Sequence, residues 1–165
     1  MAAPKKIDDF KEPTRAKLRR EGMEIFGMCV PNLGKKRSFA SILYLAMFAD
    51  GEQSPEEVEE LFALLDRTKT FANTSKRQSQ QLIEQIEADV KKRSAGPLLE
   101  LASRCFRTDD RRRESIFMHA ADIVFADRNV VDNEKKLLAD LAFYLKLEKE
   151  RARALLTIMQ LKNRH

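Results

Sequence analysis

Apolar residues recur at steps of three and four along most of the chain, and this spacing predicts about eight helices. Thr14 is placed to cap a first helix carrying Leu18, Ile25 and Phe26, which ends before Pro31 with Asn32, Leu33 and Gly34 as its exit loop. A second helix covers about 37–49. Ser54, Pro55 and Glu57 then spell a helix start: a capping hydroxyl, a proline at the first helical position and a glutamate three places on that reaches back to the cap. This third helix runs to about residue 68. Polar residues 73–75 precede a fourth whose apolar side is Leu82, Ile83 and Ile86, a pattern that suits a peripheral helix. Gly96 and Pro97 are expected to break the chain before a short helix with Leu98, Leu101, Ala102 and Cys105. Residues 108–110 offer a new cap, followed by helices over 112–126 and 132–145 and a last one from about residue 148 carrying Leu155, Leu156 and Met159.

Sliding the chain by 77 residues exposes an internal repeat: Phe48, Ala49 and Asp50 fall on Phe125, Ala126 and Asp127, Glu57 on Glu134, and Leu61 on Leu138. Phe39, Leu43 and Ala46 fall on Ile116, Ala120 and Ile123. Each copy is an apolar helix ending in Ala-Asp, a short loop, and a second helix with a glutamate seven residues after the aspartate. The expected fold is an all-α bundle of seven or eight helices, with an internal pseudo-two-fold duplication of a helix-loop-helix. One domain over 1–165 is expected, with an N-terminal extension and first helix over 1–35, a first repeat over 36–71 and a second over 113–147.

Helical steps of four, three and four from Phe39 reach Asp50, and the equivalent steps reach Asp127, so both aspartates continue a core-facing line. Four residues back from Leu61 and Leu138 stand Glu57 and Glu134. Two carboxylates about 4 Å apart repel by about 4 kcal/mol at an effective dielectric of 20, so a compensating positive charge is expected. A shared proton, a protein cation such as Arg128 or Lys35, or a hard divalent ion bound through oxygens would supply it. The plainer alternative makes Glu57 the boxed glutamate of Ser54 and Asp50 a loop residue. Capping accounts less well for the second copy, because Val131 has no side-chain oxygen.

The stretches Ala49-Asp50-Gly51-Glu52-Gln53-Ser54-Pro55-Glu56-Glu57 and Ala126-Asp127-Arg128-Asn129-Val130-Val131-Asp132-Asn133-Glu134 resemble the D-G-x-[VI]-S-x-x-E signature of TerB-like tellurite-resistance domains. Similarity extends from about residue 38 to the end. Gln53 stands where an apolar residue is usual, Arg128 replaces the turn glycine and Val131 the capping serine. The resemblance implies a duplicated all-helical bundle working in stress response and tellurite resistance linked to the membrane. It also implies a divalent metal ion (Ca²⁺, Mg²⁺ or Mn²⁺) on Asp50, Glu57, Asp127 and Glu134.

Composition narrows this picture. With 43% hydrophobic residues set at helical spacing, the chain folds in spite of 35% charge, and five glycines with no tryptophan fit helices better than sheets. The net charge of +5 is spread rather than pooled, which makes nucleic acid an unlikely partner. Residues 50–60 instead hold six acids and no base, a docking surface for a basic protein partner even without metal. Arg15, Lys17, Arg19 and Arg20 around Leu18 suit peripheral contact with an anionic membrane, although a solvated bundle face is the plainer reading. No apolar run reaches the roughly 18 residues of a membrane span and the N-terminus lacks a secretory core, so a cytoplasmic setting is expected. Cys29 and Cys105, without CxxC spacing, read as buried reduced thiols, and His119 as a core histidine. No catalytic constellation is visible, and the expectation is a protein that is not an enzyme.

Overall fold

In the computed structural model residues 33–51, 53–126 and 130–164 are described, and they form seven α-helices and one 3-10 turn without a strand. The helices are α1 (Gly34–Met47), α2 (Pro55–Arg67), α3 (Lys76–Arg93), α4 (Ala95–Arg104), α5 (Asp110–Ala126), α6 (Asp132–Tyr144) and α7 (Lys149–Lys162), with the 3-10 turn Lys69–Phe71 after α2. The chain is all-α, as its periodicity predicts. The helix expected from Thr14 lies outside the described residues.

α1 is the axis of the bundle. It packs against α2, α3, α4 and α5, and every residue over 38–46 is buried. A helix buried all round has no solvent face to be amphipathic about, so its sequence reads as Ser38-Phe39-Ala40-Ser41-Ile42-Leu43-Tyr44-Leu45-Ala46 rather than as a stripe. Small residues on it let the neighbours approach: Ser38 donates its hydroxyl to Sγ of Cys105 at 3.0 Å, across to the end of α4. Cys105 is buried and disulfide-bonded, which corrects the expectation of a reduced thiol; Cys29 lies outside the described residues.

α3 is peripheral, as expected, burying Ile83 and Ile86 against α1 and α4. Arg37 of α1 donates Nε to Asp89 of α3 at 2.9 Å. Burying two isoleucines contributes about 1.5–3 kcal/mol each, so packing holds α3, and the part-buried Arg37–Asp89 pair sets its orientation. On the opposite side α7 docks on α5, clamped by Arg151, whose Nε and Nη2 each lie 2.8 Å from a carboxylate oxygen of Glu114.

One boundary differs from the sequence expectation. Gly96 and Pro97 do not break the chain; both lie in the first turn of α4, where proline's missing N–H leaves no bond unmade. The break falls at Ser94, which has φ +65° and ψ 167°.

Candidate functional site

Glu57 sits in the first turn of α2 and completes a capping box. Its backbone N–H donates to Ser54 Oγ at 3.2 Å, and its own Oε2 accepts from the Ser54 backbone N–H at 2.8 Å. The local sequence accounts for this in full: Ser54 supplies the cap, Pro55 the first helical position and Glu57 the returning acceptor.

Glu134 does half of the same work. Its Oε2 accepts from the Val131 backbone N–H at 2.8 Å, at the same place in the first turn of α6. Valine has no oxygen to give, so only the returning bond is made. Capping therefore accounts less fully for the second copy, as the sequence suggests, although the returning half of a capping box asks nothing of the cap residue's side chain.

Asp50 is exposed. Helical spacing had aimed it along the core-facing line of Phe39 and Ala46, but α1 stops at Met47, and residues 48–50 form a turn closed by the Gly51 N–H donating to Phe48 O at 3.1 Å. Once the helix ends, a step of four no longer returns to the same face. Gly51, at φ +90°, fills a position that favours glycine. Asp127 and Arg128 lie outside the described residues.

The two acid-bearing hairpins nevertheless meet at one groove. A cavity of about 460 Å³ is lined by Tyr44, Phe48 and Gly51 from the first, and by Asn133, Lys136 and Asp140 from α6. Gln53 ties the first loop to α3 by donating to Glu87 Oε1 at 3.2 Å. Burial pushes the Tyr44 phenol up, Glu87's charge adds to the rise, and a hydrogen bond with Gln53 opposes it. Lys136 brings a cation into the groove, 2.7 Å from Asp140, whose hydrogen bond and charge raise the lysine pKa. A hard cation wants six or more oxygens. Among the described residues no group of three or more His, Cys, Asp or Glu side chains is placed to hold a metal, and Glu57 and Glu134 have each given one oxygen to the backbone.

Elsewhere, the half-buried His119 meets Phe39 edge-on, ring centroids 5.6 Å apart. Burial pushes its pKa down, Asp122 opposes that and Lys162 adds to it, so the ring is neutral at neutral pH. Burial works to raise the Asp122 pKa, but hydrogen bonds from Lys162 at 2.6 Å and Asn163 at 3.0 Å, with the charges of Lys162 and His119, bring it below the usual range. Sequence reasoning missed Lys136 and Asp140, whose only signal is their spacing of four on one helix.

Two helical hairpins with capping glutamates, the first of them containing the buried central helix, define a small all-α bundle. The family model described as "Tellurite resistance protein TerB" matches residues 36–156, well over half of the chain, and the protein belongs to that family. No curated protein and no solved structure matches it. Among the described residues no helix is long and apolar enough to cross a membrane.

Proposed function

We propose that this TerB-family domain is a non-enzymatic docking module whose acidic hairpin, 50–60, receives a basic protein partner without an essential cation. The supporting observation is the employment of the acids. Glu57 and Glu134 hold helix starts through 2.8 Å bonds, while Asp50, Glu56, Glu59 and Glu60 stand exposed on one hairpin. Exposed like charges keep the strand of potential open to a partner and lend speed and selectivity to encounter more than raw affinity. The hairpin is also rigid enough to present them, because α2 buries Leu61 and Leu65 completely.

The test is a titration of the labelled full chain with a basic, Lys- and Arg-rich peptide, followed by amide shifts. Docking predicts shifts concentrated over 50–60, strong weakening with salt, and loss of binding in the triple variant Glu56→Lys, Glu59→Lys, Glu60→Lys. Shifts scattered over the surface, or binding that survives charge reversal, would count against it.

A second reading keeps the family's divalent cation on Asp50, Glu57, Asp127 and Glu134. What favours it is that each capping glutamate engages only Oε2, leaving Oε1 without a hydrogen bond among the described residues, and that both hairpins border one groove. In both readings we take the two hairpins to be copies of one unit, supported by the matching bonds of Glu57 and Glu134.

A further inference from the structure

A second cavity, of about 690 Å³, opens at the far end of α2, where that helix and the 3-10 turn approach α5. Its volume lies within the roughly 300–1,000 Å³ typical of small-molecule sites. The floor is apolar: Phe39, Phe106 and Ile116 are 6%, 3% and 5% exposed. The rim is basic, with Lys35 from α1, Arg67 from the end of α2, Lys69 from the 3-10 turn and Arg112 from α5, and no described lining residue is acidic.

Pairing and helix position account for only two of these four cations among the described residues. Arg112 is paired with Asp109 at 3.1 Å, but Lys35, Arg67 and Lys69 form no ion pair among the described residues. Arg67 does suit the last turn of α2, where a cation complements the helix dipole. Lys35 has no such use: it lies in the first turn of α1, where a positive charge opposes the dipole. Three exposed cations without an ion pair among the described residues converge from three elements above an apolar floor and raise the positive potential there, which favours a negative ligand. The segment before residue 33 carries seven bases against five acids, a net positive charge that matches a basic rim less well than a compact anion does.

We propose that this cavity binds an anionic amphiphile: a short hydrocarbon body seated on Phe39, Phe106 and Ile116, with a terminal phosphate or carboxylate among Lys35, Arg67 and Lys69. The neutral His119 at the cavity wall keeps the floor apolar and offers the head group a hydrogen bond. This site is separate from the acidic hairpin and stands whether or not that hairpin docks a partner.

The experiment titrates the full chain with octyl phosphate, octanoate, octanol and inorganic phosphate, following amide shifts. Octyl phosphate or octanoate is expected to shift Phe39, Thr68, Phe106 and His119, and to bind roughly tenfold or more tightly than either octanol or inorganic phosphate. Whichever of the two binds better assigns the head group. The double variant Arg67→Gln, Lys69→Gln, at exposed positions, should weaken that binding by a similar factor at an unchanged melting temperature. Vesicles of phosphatidylcholine mixed with phosphatidylglycerol distinguish the source: recruitment together with soluble binding points to a membrane lipid, and soluble binding alone to a free metabolite. Inorganic phosphate or octanol binding as tightly as the amphiphiles, shifts confined to another region, an unaffected double variant, or vesicle recruitment without soluble binding would each overturn the proposal.

Discussion

A carboxylate at the third position of a helix can spend one oxygen on the backbone and stay partly exposed, and Glu57 and Glu134 both do this. Glu57 was legible because Ser54, Pro55 and Glu57 are contiguous signals that need no tertiary information. The exposure of Asp50 was not, since the helical spacing that aimed it inward holds only while the helix lasts, and α1 ends three residues earlier. His119 was read as a core residue; it is half-buried, with its ring against Phe39 at the wall of a cavity. Its lowered pKa carries a consequence for stability. In the unfolded chain the imidazole takes up its proton near about pH 6.5, and in the fold only at lower pH. The stability linked to the neutral ring is therefore complete above about pH 6.5 and is lost progressively as pH falls below it. Denaturant melts between about pH 7.5 and pH 5 should show that loss, and His119→Gln should flatten it; an unchanged slope in the variant would contradict the assignment. Carboxylate titration enters only nearer pH 4.

At the scale of elements, helix existence was readable and helix ends less so. All seven described helices correspond to expected ones, because burial imposes a period of 3.6 on each partly exposed element. A misplacement arose where backbone geometry, not residue type, marks the end: Ser94 breaks the chain although Gly96 and Pro97 look like the breakers. The end of α6 falls within a residue of the expected one, and Lys146 closes it in the left-handed region at φ +55°. There the Lys146 N–H donates to Phe143 O at 3.0 Å and the Leu147 N–H to Ala142 O at 3.0 Å, a Schellman closure that glycine usually provides. Lys146→Gly should relieve the strain and stabilise the protein by about 1 kcal/mol, a rise of about 2–4 °C in melting temperature for a chain of this size. A fall in melting temperature would show that the lysine stem makes a contact worth more than the backbone strain.

For the whole molecule, a net charge of +5 conceals a polarity along α2: Glu56, Glu57, Glu59 and Glu60 at its start, Arg67 at its end beside a basic cavity. Sequence gave the acidic half as one run, whereas Lys35, Arg67, Lys69 and Arg112 are scattered over the chain and only folding brings them to one rim. The central claim is that the described acids of the two hairpins serve helix caps and the docking face proposed above, so that the fold needs no cation. Thermal melts of the chain after chelation, and again with millimolar Mg²⁺, Ca²⁺ or Mn²⁺, test it most directly. The account predicts the same melting temperature in every condition, and a fall of about 2–4 °C for Glu134→Ala whether or not an ion is present, from a lost capping bond worth about 1 kcal/mol. A rise of about 5–10 °C with one ion, abolished by Asp50→Asn together with Asp127→Asn, would contradict it.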